Sequence, residues 1–404
     1  MPVYIMTVTG TQGLNRPGTW QGGEVRKYSD EGSLLAVQLT EEDVSPAAWT
    51  GQGAYDPKTG LFWYTIFADP FAEFGSSYVA SFRENPVDDP ARPFVLGPRF
   101  NLETPVRFSQ ERFDVGLEPY EVPIAQAESV LVGPDDLLYV GYQQRPWNDV
   151  GVEDELWRPM ETFLQTAKPE GVFGDRVRQF GLSQFGHQNT AWLCWGRSII
   201  FTDETRIVKI LDVESGEVTF FCDLWGTAPE GFLHLDEIPD STYEDNPRGD
   251  NTNSGSSYGI QVSHKKQRIY ISVPIYSTST FALYAGVSVW DFSGKHCATF
   301  RPAQSSNPYS IALSESDTWL WVTNSMIDGA AGPTQGDPLY PMTVYRMDAW
   351  SGEGLEAPLF THEPTNGRFA ACVFTERTPW GEIPTEMRGD NPSQSVRWER
   401  SELT

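Results

Sequence analysis

Trp290-Asp291-Phe292-Ser293-Gly294, read with the run Gly286-Val287-Ser288-Val289 before it, decides the fold. An apolar or aromatic residue precedes Asp, two or three residues intervene, and Gly follows. Asp bonds its own backbone in a tight turn and Gly accepts a positive φ, so the phrase closes a hairpin between antiparallel strands. It recurs as Tyr28-Ser29-Asp30-Glu31-Gly32, as Leu211-Asp212-Val213-Glu214-Ser215-Gly216 and as Met347-Asp348-Ala349-Trp350-Ser351-Gly352. Recurrence at wide intervals along one chain marks a fold built from one repeated sheet unit.

Around Trp290 the unit can be read whole. Ser257-Tyr258-Gly259-Ile260-Gln261-Val262 forms an inner strand, His264-Lys265-Lys266 turns, and Arg268-Ile269-Tyr270-Ile271-Ser272-Val273 returns. The hairpin phrase then leads to an outer strand at Cys297-Ala298-Thr299-Phe300. The alternation has period two throughout. Further copies have inner strands at Thr190–Leu193, Pro308–Leu313, Gly51–Tyr55 and Glu128–Val132. A sixth inner strand, Phe369–Phe374, lacks its partners downstream, and Val3–Val8, Glu24–Asp30 and Leu34–Val37 supply them from the N-terminus. A ring of sheets closes best when one sheet is shared by both chain ends, because ladder hydrogen bonds then hold the seam. The expected fold is all-β, a six-bladed β-propeller in one domain over 1–404. The stretch Pro105 to Pro123 fits no copy and leaves five or seven blades open.

Two segments read as interruptions. Residues 144–180 are expected to be a partly helical rim insertion, because Val152–Trp157 and Pro159–Ala167 place acidic residues and Pro159 near a helix start. Residues 233–256 are polar and rich in turn formers, and read as a long surface loop.

Composition bounds the function. The 404 residues carry 29 basic and 55 acidic side chains, a net charge of −26 that repels nucleic-acid backbones and anionic membrane surfaces. Arg supplies 22 of the 29 cations. No stretch reads as a signal peptide or a membrane span, which leads to the expectation of a cytoplasmic or virion-associated protein. The cysteines Cys194, Cys222, Cys297 and Cys372 form no Cys-x-x-Cys pair and are expected to be buried free thiols. His234, His264 and His362 fall near turns and are expected in solvent; His296 and Cys297, adjacent on a strand, cannot form a catalytic pair. Gly-x-Ser-x-Gly, His-Glu-x-x-His and phosphate-binding glycine loops do not occur.

Ser306-Asn307-Pro308-Tyr309-Ser310-Ile311-Ala312-Leu313-Ser314, leading into Trp319-Leu320-Trp321-Val322-Thr323-Asn324-Ser325, resembles the inner-strand phrase of the propellers related to senescence marker protein 30, gluconolactonase and strictosidine synthase. The resemblance implies a channel whose mouth gathers residues from every blade; here these are Glu128, His187, Gln188, Asn189, Tyr258, Asn307 and Arg368. Lactonases of that group hold a divalent cation with a Glu, an Asn and an Asp. Glu128 and Asn307 match two of the three, the Asp has no counterpart, and Pro308 stands where the group has Gly. By that resemblance Glu128 and Asn307 are the metal ligands, for Ca²⁺ or another divalent cation, and His187, Asn189, Tyr258 and Arg368 are ligand-binding residues.

Two readings of function follow. The first is a non-catalytic propeller that docks protein partners as a rigid assembly module, a structural component of a bacteriophage particle by its charge, Arg usage and long insertions. The alternative is a metal-dependent lactonase or hydrolase acting at the channel mouth.

Overall fold

The computed structural model describes residues 2–8, 24–39, 49–50, 52–67, 78–102, 106–108, 121–123, 125–144, 160–183, 188–203, 207–224, 257, 259–273, 286–302, 307–325, 342–362 and 369–378. Among these residues the secondary structure is strand and turn, without helix. β1 (Val3–Val8), β2 (Glu24–Tyr28) and β3 (Leu34–Leu39) open the chain but belong to the blade that closes it. The first blade has β4 (Trp49–Thr50) and β5 (Ala54–Asp56) one after the other along the same edge of β6 (Leu61–Phe67), then β7 (Tyr78–Glu84) and β8 (Phe94–Asn101). A short hairpin follows, β9 (Val106–Phe108) with β10 (Glu121–Pro123).

The second blade is β11 (Ala125–Val132), β12 (Leu138–Gln144), β13 (Met160–Ala167) and β14 (Phe173–Ser183). The third is β15 (Gln188–Cys194), β16 (Ser198–Asp203), β17 (Ile207–Asp212) and β18 (Val218–Asp223). The fourth is β19 (Gly259–Ser263), β20 (Arg268–Val273), β21 (Gly286–Asp291) and β22 (His296–Phe300). The fifth is β23 (Asn307–Leu313), β24 (Trp319–Ser325), β25 (Met342–Asp348) and β26 (Phe360–His362). The sixth runs β27 (Phe369–Phe374), β1, β2, β3, so both ends of the chain share one sheet. Each inner strand lies against the next, from β11 through β15, β19 and β23 to β27, and β27 returns to β4. The ring has six blades, and the stretch around Pro105 to Pro123 contributes a hairpin instead of a seventh.

The helical expectation is overturned over Met160–Ala167. Met160–Ala167 is a strand, paired with β12 on one side and β14 on the other. Leu164 and Ala167, both buried, point into opposite blade interfaces, as residues three apart do on a strand. Local helix preference lost to two hydrogen-bonded neighbours. Residues 160–183 are therefore the outer half of the second blade. The remaining part of that expected insertion, 145–159, and the expected loop at 233–256 lie outside the described residues.

The hairpin phrase works through its acid. Oδ1 of Asp212 accepts from the amides of Glu214 and Ser215, Asp348 repeats this with Trp350 and Ser351, and Asp291 accepts from Ser293 and Lys295. In the first copy the neighbouring Ser29 takes that part, accepting from Glu31 and Ser33. Burial works to raise the carboxyls of Asp212 and Asp348, yet the Ser215 and Ser351 amides and hydroxyls outweigh it and hold both below the ordinary carboxylate range.

Six separate apolar clusters fill the six gaps between blades. A cluster of rings lies near the seam, where Tyr4, Phe62, Phe82, Phe94 and Phe374 pack edge to face or tilted. The cysteines are free; Cys222 and Cys372 are buried, Cys194 is half-buried, and Cys297 is exposed, contrary to the expectation for that residue.

Gly352 has φ +75° and a Cβ there would run into the Phe300 ring of the fourth blade, whereas Gly60, at φ +69°, faces open space. Gly352→Ala should lose about 2–4 kcal/mol, from backbone strain plus overpacking, and Gly60→Ala about 1 kcal/mol, from strain alone. Urea melts of the two variants check this; equal losses would contradict the packing of the phrase against the neighbouring blade.

Candidate functional site on the propeller axis

Several buried polar side chains on or beside the inner strands bond across to neighbouring or opposite blades. Gln52, 6 % exposed, sits between β4 and β5, bridges in parallel to Ser129 of β11, and donates from Nε2 to the carbonyls of Thr190 (2.8 Å) and Ile260 (3.0 Å). Thr190 is in the third blade and Ile260 in the fourth, directly opposite the first, so one amide crosses the channel. Its Oε1 is buried without a hydrogen-bond partner. Thr190 Oγ1 donates to Ser129 Oγ at 3.1 Å, and Ser310 Oγ accepts from the Val373 amide at 3.1 Å, which ties adjacent inner strands. Such bonds in a low-dielectric interior are costly to break singly, because the abandoned partner stays buried.

Beyond this layer, at the ends of the inner strands, is a cavity of about 60 Å³ lined by residues that include Gln52, Thr190, Gln261, Ala312, Val373 and Arg377. Small-molecule sites are commonly several times larger, about 300–1,000 Å³. Arg377 on the cavity wall belongs to an ion pair. Arg377, just past β27, places Nε 2.6 Å from Asp317 Oδ1 and donates from Nη2 to the Val262 carbonyl at 2.8 Å. Asp317 holds φ +56° in the β23–β24 turn and takes the Ser263 hydroxyl on its other oxygen. Both partners are under 10 % exposed. The pair links the sixth, fifth and fourth blades, and removing one partner would leave a buried charge.

His264 lies beside this pair and is buried, which corrects the expectation that it faces solvent. The expectation rested on its turn position; the turn folds inward, and Nε2 meets the Leu193 carbonyl at 2.9 Å. Burial, then the Arg377 guanidinium, lower its pKa to about 4 against the opposing pull of the Leu193 carbonyl and Asp317.

The residues expected at the channel mouth are at the other ends of the inner strands. Glu128 is buried and forms the extra residue of a bulge in β11, with its carbonyl accepting from the Gln52 amide. Asn189 is buried and its Nδ2 donates to the Ser257 carbonyl and to Thr202 Oγ1, so its amide hydrogens join strands of the third blade to the start of the fourth. Asn307 is the first residue of β23, paired with Ser325, in the blade opposite Glu128. Gln188 is the first residue of β15, opposite Asp203. His187, Tyr258 and Arg368 lie outside the described residues. Among the described residues, groups of three or more His, Cys, Asp or Glu suited to a metal ion do not occur. Gln52, Asp317 and Arg377 were not singled out by the sequence; the signal that points to the first is Gly53 beside it, where a Cβ would meet the Trp63 carbonyl and the Phe374 ring.

No family model matches the chain and no curated protein matches it. Among solved structures, dihydro-heme d1 dehydrogenase NirN in complex with DHE is similar at 11 % identity and TM-score 0.39, over 91 % of this chain and 74 % of that one, and the likeness is too slight to inform function. Among the described residues, no helix is long and apolar enough to cross a membrane.

Because His264 stays neutral in the fold, its contribution to stability is whole above the unfolded value of about 6.5 and is lost as pH falls towards the folded value of about 4. The loss across that window should be about 3 kcal/mol. His264→Gln, which keeps a donor for Leu193, should flatten the stability profile between those limits; an unchanged profile in urea melts would contradict a buried neutral imidazole.

Proposed function

We propose that the chain is a non-catalytic propeller that acts as a rigid docking module in a larger assembly, of the kind a virus particle uses. The observation that carries this reading is the Gln52 crossing, which spends the centre of the ring on holding opposite blades together. A propeller whose axis is occupied structurally has its circumference and rims to work with. There the described surface is apolar in one sector: Leu34, Leu35 and Val37 on β3 and Val95 and Leu96 on β8 are 36–56 % exposed, and the Phe94 amide donates to Gln38 between these strands. Grouped apolar residues of this kind favour association. The net charge of −26 keeps copies apart and attracts basic partners.

Native mass measurement on the chain drawn gently from its source should find it in a complex of fixed stoichiometry. Its melting temperature should be the same in Ca²⁺ and in chelator, and Glu128→Gln and Asn307→Ala should leave metal content unchanged. A solitary monomer would overturn the docking reading. A stoichiometric ion that raises the melting temperature and is lost in those variants would support the lactonase-like alternative instead.

A further inference from the structure

The crossing at Gln52 uses only half of the side-chain amide. Both groups that Nε2 meets, the Thr190 and Ile260 carbonyls, can only accept, so the nitrogen must face them and Oε1 must point elsewhere. Oε1 is buried without a hydrogen-bond partner, and Gln52 lines the cavity of about 60 Å³ at the ends of the inner strands. A buried acceptor without a donor costs stability, and a donor brought to it recovers that loss.

The whole ring builds the cavity. Gln52, Leu131, Thr190, Gln261, Ala312 and Arg377 line it and belong in turn to the first through the sixth blade, Arg377 following the inner strand of the last. Arg377 brings the complementary group. Its Nε is spent on Asp317 and its Nη2 on the Val262 carbonyl, whereas Nη1 has no partner among the described residues. Gln261 is half-buried, so part of the wall meets solvent, and its amide can donate or accept.

These groups set the chemistry of an occupant, which must donate to Gln52 and accept from Arg377. A carboxylate has no hydrogen to give Oε1, and the guanidinium it would meet is already matched by Asp317. An ammonium has no acceptor for Nη1 and would sit beside a fixed cation. Size is the third condition. At about 10–15 Å³ for each water-sized occupant, the 60 Å³ has room for about four to six non-hydrogen atoms. A primary carboxamide and the carbon that carries it are uncharged, fit that space, and hold a donor and an acceptor on one carbon.

We propose that the axial cavity binds a primary carboxamide, whose nitrogen donates to Gln52 Oε1 and whose oxygen accepts from Arg377 Nη1. The site is at the opposite ends of the inner strands from Glu128 and Asn307. A free amide and the Asn or Gln side chain of a partner share this chemistry. The proposal goes beyond the docking reading and does not depend on it.

The test uses the full chain and small molecules of one size, read by saturation-transfer NMR: acetamide, acetone, acetate, isopropylammonium and ethylene glycol. Acetamide should bind at about millimolar concentration, as so small a ligand must, and the others about tenfold or more weakly. Ala312→Leu, which fills the cavity and removes no polar group, should abolish acetamide binding; Ala191→Leu, also on the wall, serves if Ala312→Leu melts below the parent. Absence of acetamide binding would overturn the proposal, as would equal binding of acetone or glycol, or binding that survives in a filled variant that melts like the parent. Displacement of acetamide by Gly-Gly-Gln-Gly-Gly and not by Gly-Gly-Glu-Gly-Gly would support it with a partner's side chain as the occupant; acetamide binding that neither peptide displaces would support it with a free amide. If the chain binds acetamide yet enters no complex, docking alone fails; if it enters a complex and does not bind acetamide, the cavity proposal alone fails.

Discussion

The ladder between β1 and β27 is the constraint on which the rest of the molecule depends. Tyr4 faces Phe374, Ile5 faces Val373 and Met6 faces Cys372, so strands from the two ends of the described chain become neighbours in one sheet. Without that pairing six sheets could stack as an open arc with exposed edges at both ends. With it, every inner strand has two neighbours, and the six apolar clusters each lie between a pair of blades. The seam is also bolted by polar groups. The Tyr4 hydroxyl lies 2.6 Å from both Glu84 and Glu376, and Lys27 pairs with Glu84. Burial, then these two carboxylates, push the Tyr4 phenol far above its ordinary range. Burial opposes ionisation of Glu84, but Lys27 and Tyr4 together hold its carboxyl low.

A closed ring leaves its centre to be filled, and the two polar devices on the axis do so differently. Gln52 links opposite blades with neutral hydrogen bonds, which need no counter-charge. Arg377 and Asp317 use a fully paired charge that is also anchored to the Val262 carbonyl and the Ser263 hydroxyl. Both draw the residues after β27 or before β5 into the ring, near the places where the chain joins the seam. Rigidity at the centre suits a body that presents its outer surface.

Much of the architecture was legible because its cause is local. The hairpin phrase at Asp212, Asp291 and Asp348 carries both its acceptor and its positive-φ glycine within a few residues, and alternation marks the strands it joins. The shared blade was legible from a missing half at Phe369–Phe374 and a surplus half at Val3–Val37. What depends on distant partners was not. Met160–Ala167 is a strand only because β12 and β14 flank it. The turn position of His264 points to solvent, but Leu193 and Arg377 from other blades, with Phe292 of its own blade, enclose it. Gln52 stands in a loose copy of the repeat and Arg377 just beyond the last one, and their partners are 60 to 208 residues away. The Nδ2 of Asn189 meets Thr202 and Ser257, partners which no spacing rule connects to it.

The claim that the ring is one cooperative body latched at the seam is tested most directly by native-state hydrogen exchange. The amides of Tyr4 to Met6 and of Cys372 to Phe374 should exchange as slowly as those of Ile269 to Ile271 in the fourth blade, through global unfolding alone. Seam amides that open at a markedly lower free energy than the fourth blade, with the rest of the ring still protected, would contradict it.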